Sequence, residues 1–253
     1  MFFRIISLWL VICFATSMTV DAQSTRPSPL NLSKLPLLQS VEEGQTKTQI
    51  KPPLLVHHIT IMVDPGHGGH DIGTQSISKP RYQEKSLNLV TAKFVRDFLE
   101  HLGYQVIMTR EEDKFVSLDK RAKMANELKP TVYVSIHYNS APIATAQGIE
   151  VFFYQSKDEK NKKEKERVVK SRRLAHSVLK NIVCETQAKS RGVKHGNYLV
   201  IRETAVPAIL VEGGFVTNES EMQNLKDPVY LKRLAWGIVC GIEEYLNKLH
   251  LGG

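Results

Sequence analysis

Short apolar runs alternate with longer amphipathic stretches from residue 59 onward. Residues 59–63 form a short, mostly apolar run, the pattern of a buried strand. Asp64-Pro65 closes it, because proline has no N–H to give a sheet ladder. Leu87, Val90, Phe94, Phe98 and Leu102 then recur at three- and four-residue steps. That spacing predicts a helix, which Gly103 stops. A strand over 104–109 follows. Ser117 is placed to cap a helix running to 128, which Pro130 ends. Residues 131–136 are β-branched and aromatic apart from Ser135, again a buried strand, and 148–154 reads as another. The stretch 157–167 carries six basic and four acidic residues and no apolar one. It reads as a solvated face or a mobile excursion. An amphipathic helix over 168–185, a short strand over 198–201 and a last buried strand over 207–212 come next. Asn218-Glu-Ser-Glu221 resembles a capping box. Asp227-Pro228 opens a closing helix whose apolar stripe is Leu231, Leu234, Ile238, Ile242 and Tyr245. Strands alternating with helices predict a three-layer α/β/α domain with a twisted, largely parallel, mixed sheet of hydrolase-like or phosphorylase-like type.

The first 56 residues stand outside this rhythm. A basic Arg4, an apolar run to Val20 and small residues before position 23 read as a signal peptide, 1–22. The chain is therefore expected to be exported to the periplasm. Cys13 raises lipid anchoring, but Ile12 is bulky where such signals need Gly or Ala. Residues 23–56 carry Pro27, Pro29, Pro36, Pro52 and Pro53 without periodicity, the composition of a linker. That leaves 57–253 as one catalytic-sized domain. No other stretch is apolar enough for a membrane span, so an integral membrane protein is not expected.

Charge narrows the partners. The net charge is +8, and Arg4 and Asp21 cancel within the signal segment. Such an excess favours anionic cell-wall polymers or acidic lipid, and export disfavours nucleic acid. Cys184 and Cys240 remain in the exported part. They could pair, or could be two buried small residues; their spacing is not that of a zinc knuckle.

The chemistry sits at strand ends. The buried strands deliver His67, within Gly66-His-Gly-Gly69, His137 and Glu212. If these strands are parallel neighbours, the three meet at the carboxyl edge of the sheet, where ligands bind in α/β folds. With Glu84 they include a His, His, Glu set, a catalytic zinc shell with a position left open. Zinc there lowers the pKa of bound water to about 7. Glu212 is then a spare carboxylate able to move a proton from water to a leaving amine. Plainer readings stand beside these: a solvated turn histidine, an acidic residue at a helix start and a structurally bonded glutamate. Arg110 and Arg121 could hold an anionic substrate, or be paired surface arginines.

These residues carry a family resemblance. Val63-Asp-Pro-Gly-His-Gly-Gly69, Glu84 with Leu87-Asn-Leu89, Thr109-Arg110, Ser135-Ile-His-Tyr-Asn-Ser140, and Leu210-Val-Glu-Gly-Gly-Phe215 with Asn218 occur in family order. Over about 57–249 the chain resembles the zinc-dependent N-acetylmuramoyl-L-alanine amidases of bacterial cell-wall remodelling. The resemblance implies one zinc ion on His67, Glu84 and His137, with Glu212 as catalytic glutamate. It implies hydrolysis of the amide between N-acetylmuramic acid and L-alanine of peptidoglycan, in wall remodelling or daughter-cell separation. Arg110 and Asn139 are the substrate-contact candidates. A monomer is expected, with a divisome or activator protein as a further partner. Two departures stand out. Wall-targeting domains and wall-binding repeats are missing, and the insertion at 155–170 is short and polar, unlike an apolar plug helix.

Three rivals compete. Penicillin-sensitive D-alanyl carboxypeptidases use Ser-x-x-Lys with Ser-x-Asn. The chain has Ser76-Ile-Ser-Lys79, Ser117-Leu-Asp-Lys120, Ser177-Val-Leu-Lys180 and Ser86-Leu-Asn88, but no Lys-Thr-Gly. A non-catalytic wall-binding protein of the same fold would be expected to lack a ligand or the glutamate. A zinc exopeptidase of broader reach would use the same metal shell.

Overall fold

The computed structural model describes residues 59–156 and 161–251. The expected signal peptide, 1–22, and linker, 23–56, lie outside the described residues, as does Cys13. The elements run β1 (Thr60–Pro65), α1 (Glu84–His101), β2 (Gln105–Met108), α2 (Leu118–Leu128), β3 (Val132–Asn139) and β4 (Ile149–Phe153). They continue with α3 (Lys162–Thr186), β5 (Ser190–His195), α4 (Leu199–Arg202), β6 (Ala208–Phe215), α5 (Glu219–Leu225) and α6 (Pro228–Leu251). The strands form one sheet in the order β2-β1-β3-β6-β4-β5. β1 is parallel to β2 and β3, and β3 to β6. β4 reverses against β6 and carries β5 parallel to itself. The sheet is therefore mixed and largely parallel, with helices flanking it, as the alternation predicts.

Strand alternation sorts the side chains onto two faces. Met62, Tyr133, Leu210 and Phe152 meet Ala125 of α2 and Val200 and Ile201 of α4 on one face. On the other, the hydroxyls of Tyr138 and Thr91 of α1 lie 2.6 Å apart. There α6 packs against both α1 and α3. The registers place His137 opposite Glu212, and Glu212 opposite Glu150. Counting by twos, all three residues share the α2/α4 face at the carboxyl end of β3 and β6.

The caps follow the sequence closely. Ser117 accepts the Lys120 backbone N–H at 3.3 Å. Asn218 accepts that of Glu221 at 3.0 Å. The box is half formed, because the Glu221 carboxylate turns instead to the N–H groups of Phe215 and Gly148. Every residue of the predicted α6 stripe is buried.

Several expectations are overturned. Residues 199–202 are a short helix, and the edge strand beside them is β5, a polar stretch with no apolar alternation. α3 starts at Lys162, so the stretch expected to be a solvated face or a mobile excursion is helical from there, and residues 162, 163, 165 and 166 are exposed as expected of a solvated face. Arg167 is only 6% exposed, because its guanidinium donates to Ile201 O at 3.0 Å and to Glu164 Oε2 at 2.8 Å. In α1, Val90 is exposed while Leu87, Thr91, Val95 and Phe98 face inward. The buried face also holds Glu84 and Asn88, so an apolar count alone misplaces it. Cys184 and Cys240 are both free thiols; Cys184 is exposed, and burial pushes the Cys240 thiol up to about 12.

Candidate metal centre and catalytic site

The loop after β1 is held from beneath by two arginines. Arg110 and Arg121 are each 1% exposed, so neither is a surface residue. Arg110 donates to Pro65 O at 2.9 Å and to Gly66 O at 2.8 Å, and also to the carbonyls of Lys85 and Glu112. Arg121 donates to Pro65 O and His67 O, each at 2.7 Å. The guanidiniums thus bind loop carbonyls and hold the turn from its buried side. Beneath them, Asp64 is fully buried and pairs with Arg121 at 2.5 Å. It also accepts from the hydroxyls of Thr109, Tyr133 and Ser135. Burial alone would raise the Asp64 pKa, but Arg121 and these hydroxyls outweigh it and hold the carboxyl below its usual range.

On this base the loop turns sharply. His67 has φ 59, a left-handed backbone few non-glycine residues adopt. Gly66 and Gly73 are glycines because the side chains of His137, Glu84 and His67 press on them. A Cβ at Gly66 would stand 2.1 Å from the His137 ring. One at Gly73 would stand 2.5 Å from Glu84 Oε2 and 2.7 Å from the His67 ring.

The structure brings His67, Glu84 and His137 together, with one donor atom of each within 4.8 Å of the others. Glu84 Oε2 lies 3.2 Å from His67 Nε2, and Glu84 Oε1 lies 2.9 Å from His137 Nδ1. Donors on one tetrahedral ion with metal bonds of about 2.05 Å stand ~3.3 Å apart. The three residues are close enough to share one ion, and two imidazoles with one carboxylate favour zinc chemically. Glu84 opens α1 and is 4% exposed, further fixed by the N–H groups of Thr74 and Tyr138. Burial opposes its ionisation, yet His137 and His67 hold its pKa far below the usual carboxylate range. His67 is lowered by burial but raised overall by Glu84 and Asp71.

Asp71 was not singled out in the sequence. Its Oδ2 lies 2.8 Å from His67 Nδ1, turning Nε2 toward Glu84. The signal was its place four residues after His67 in the same glycine-rich turn. Asn88 was likewise missed as a support; its amide donates to Gly66 O at 3.1 Å.

Glu212 stands beside the triad. It is 9% exposed, and its Oε2 is buried with no hydrogen-bond partner. Burial, then Glu84 and Glu150, raise its pKa well above the ordinary value. His67, Glu84, His137, Asn139, Tyr198 and Glu212 line a cavity of about 330 Å³. Asn139 lies at this cavity with its amide donating to Glu150 Oε1 at 2.8 Å. Glu150 also accepts from Arg191 at 2.8 Å and from Lys194. The Ser-x-x-Lys stretches fall elsewhere in use. Ser76 Oγ accepts from Tyr82 N at 2.8 Å, Ser117 is the α2 cap, and Ser177 is buried within α3.

The Amidase_3 family, described as N-acetylmuramoyl-L-alanine amidase, matches residues 61–244. YqiI of Bacillus subtilis strain 168, an uncharacterized protein, is 33% identical over 189 residues, covering 75% of this chain and 85% of that protein. The probable cell wall amidase LytH of Staphylococcus aureus is 34% identical over 188 residues, 74% of this chain and 58% of that protein. The chain thus spans little over half of its LytH relatives. A crystal structure of N-acetylmuramoyl-L-alanine amidase from Clostridium difficile 630 superposes with a TM-score of 0.68 at 39% identity. It covers 76% of this chain and 98% of that one. The CwlD amidase of Clostridioides difficile, solved in complex with the GerS lipoprotein, aligns at TM-score 0.66 and 28% identity over 75% of this chain and 98% of that one. By its match over most of its length, this chain belongs to the N-acetylmuramoyl-L-alanine amidase family.

Proposed function

We propose that this chain hydrolyses the amide joining N-acetylmuramic acid to L-alanine in peptidoglycan, using one zinc ion on His67, Glu84 and His137. The observation that carries the reading is the unpartnered, buried Oε2 of Glu212 beside a donor set spaced for one ion. When bound, zinc supplies Lewis-acid polarisation of a carbonyl and of water. The chain's own residues do the rest. Asp71 fixes the His67 tautomer so that Nε2 faces the ion site. Glu212 holds a proton taken from water and hands it to the departing amine of L-alanine. Burial and the neighbouring carboxylates Glu84 and Glu150 keep that proton affinity high, as proton transfer near neutral pH requires. Asn139, at the cavity wall, and Arg110 remain the candidate substrate contacts, with Arg110 also supporting the loop from behind.

Export to the periplasm and a role in wall remodelling or daughter-cell separation follow from the sequence reading. No helix among the described residues is long and apolar enough to cross a membrane. The CwlD–GerS complex makes a lipoprotein a partner class to test here, beside the activator expected from the sequence. The polar character of 155–167 supports activity without one. Chelator-treated full-length chain should regain cleavage of a soluble muropeptide when zinc is restored, with no partner added. Silence until a second protein is supplied would contradict independent activity, and silence throughout would contradict the amidase reading.

A further inference from the structure

A second cavity lies on the helical side of the sheet. It measures about 450 Å³ and is lined by Arg172, Arg173, His176, Tyr245 and Lys248, among others, from α3 and α6. It is remote from the metal centre. α6 begins just beyond the carboxyl end of β6, and Tyr245 lies ~25 Å further along it at 1.5 Å per residue. Gly241, one turn before Tyr245, packs on Val178, which sets this part of α6 against the middle of α3.

The chemistry of the cavity is lopsided. Tyr245 is 2% exposed, and its hydroxyl is buried with no hydrogen-bond partner. Buried hydroxyls nearly always find an acceptor, so this one marks an unfilled donor. Burial pushes the phenol up to about 12 against the pull of nearby Arg173, so it remains a donor at neutral pH. Arg172 and Arg173 are exposed and form no ion pair among the described residues. Lys248 of the wall is already paired with Glu244 at 2.6 Å, a carboxylate that also takes Lys180 at 3.2 Å. The wall therefore offers two guanidiniums and a stranded O–H, and none of its residues is a carboxylate.

We infer that the α3/α6 cavity is a binding site for a phosphate-bearing anion, with the Tyr245 hydroxyl donating to a phosphate oxygen and Arg172 and Arg173 carrying its charge. A tetrahedral anion supplies oxygens for donors arriving from several directions, which a carboxylate with two oxygens does not. The volume exceeds that of bare phosphate and leaves room for an ester, such as a lipid headgroup. The inference is independent of amidase activity.

Calorimetry of the full-length chain with inorganic phosphate, and co-sedimentation with phosphatidylcholine vesicles with or without phosphatidylglycerol, test the site. The variants are Arg172→Gln with Arg173→Gln, Tyr245→Phe, and a charge-matched control, Lys120→Gln with Lys123→Gln on α2. The site predicts saturable binding that the arginine pair weakens by about tenfold or more. Tyr245→Phe weakens it several-fold without lowering the thermal midpoint, and the control leaves it unchanged. Binding of phosphate itself identifies a soluble or ester phosphate as sufficient; binding only to anionic vesicles, lost in the same variants, assigns a lipid headgroup. Absence of binding to either probe, or equal losses in the control, would overturn the site.

Discussion

Asp71 Oδ2 lies 2.8 Å from Nδ1 of His67, four residues earlier in the same turn, and leaves Nε2 facing Glu84. A histidine ligand whose far nitrogen is held by a carboxylate keeps one tautomer and one ring orientation. Asp71→Ala should weaken zinc binding by about 10–100-fold while leaving all three ligands in place. Competition against a chelating dye reads this directly. An unchanged affinity would show that the Asp71 contact does not orient His67.

Gly66 lies under the His137 ring so closely that any Cβ must displace it. Gly66→Ala should therefore reduce zinc stoichiometry well below one while far-ultraviolet circular dichroism stays native. Full zinc loading in that variant would mean that the ring has room the geometry denies.

Asp64 and Arg121 form a buried pair, and their partnership should govern acid stability. The folded pKa of Asp64 lies below its unfolded value of about 3.9. Its stabilisation is therefore fully present above pH ~4 and is lost as pH falls through the folded value. Asp64→Asn leaves Arg121 buried without its carboxylate and should cost about 3–5 kcal/mol at neutral pH. Urea midpoints measured from neutral to acid pH should converge for wild type and variant at the acid end. Parallel curves would place the acid sensitivity elsewhere.

Much of this was legible in the chain and some was not, for physical reasons. Buried parallel strands such as β3 and β6 are continuous apolar runs, so their ends, and the residues delivered there, could be named. β5 could not, because an edge strand reading Ser-Arg-Gly-Val-Lys-His carries no apolar alternation. Neither could the reversal of β4, since strand direction leaves no mark in composition. The buried face of α1 was misjudged because Glu84, Asn88 and Thr91 occupy it for the sake of the site rather than the core. Arg110 and Arg121 looked like surface charge; their partners are mostly backbone carbonyls, which have no sequence signature.

Glu212→Gln should bind zinc as tightly as wild type, because no ligand is touched. Its activity should fall by about 10²–10⁴-fold, the usual loss when a proton-transferring group is removed. Reduced zinc content in this variant would instead move Glu212 into the ligand set.

The most direct measurement is mass spectrometry of peptidoglycan digested by the full-length chain, with zinc, with chelator, and with Glu212→Gln. Stem peptides released whole, with a free L-alanine amino terminus, and lost in the chelated and Glu212→Gln digests, are the predicted result. Loss of the terminal D-alanine alone, indifferent to chelator and blocked by penicillin, would contradict the account and turn attention to the serine–lysine motifs.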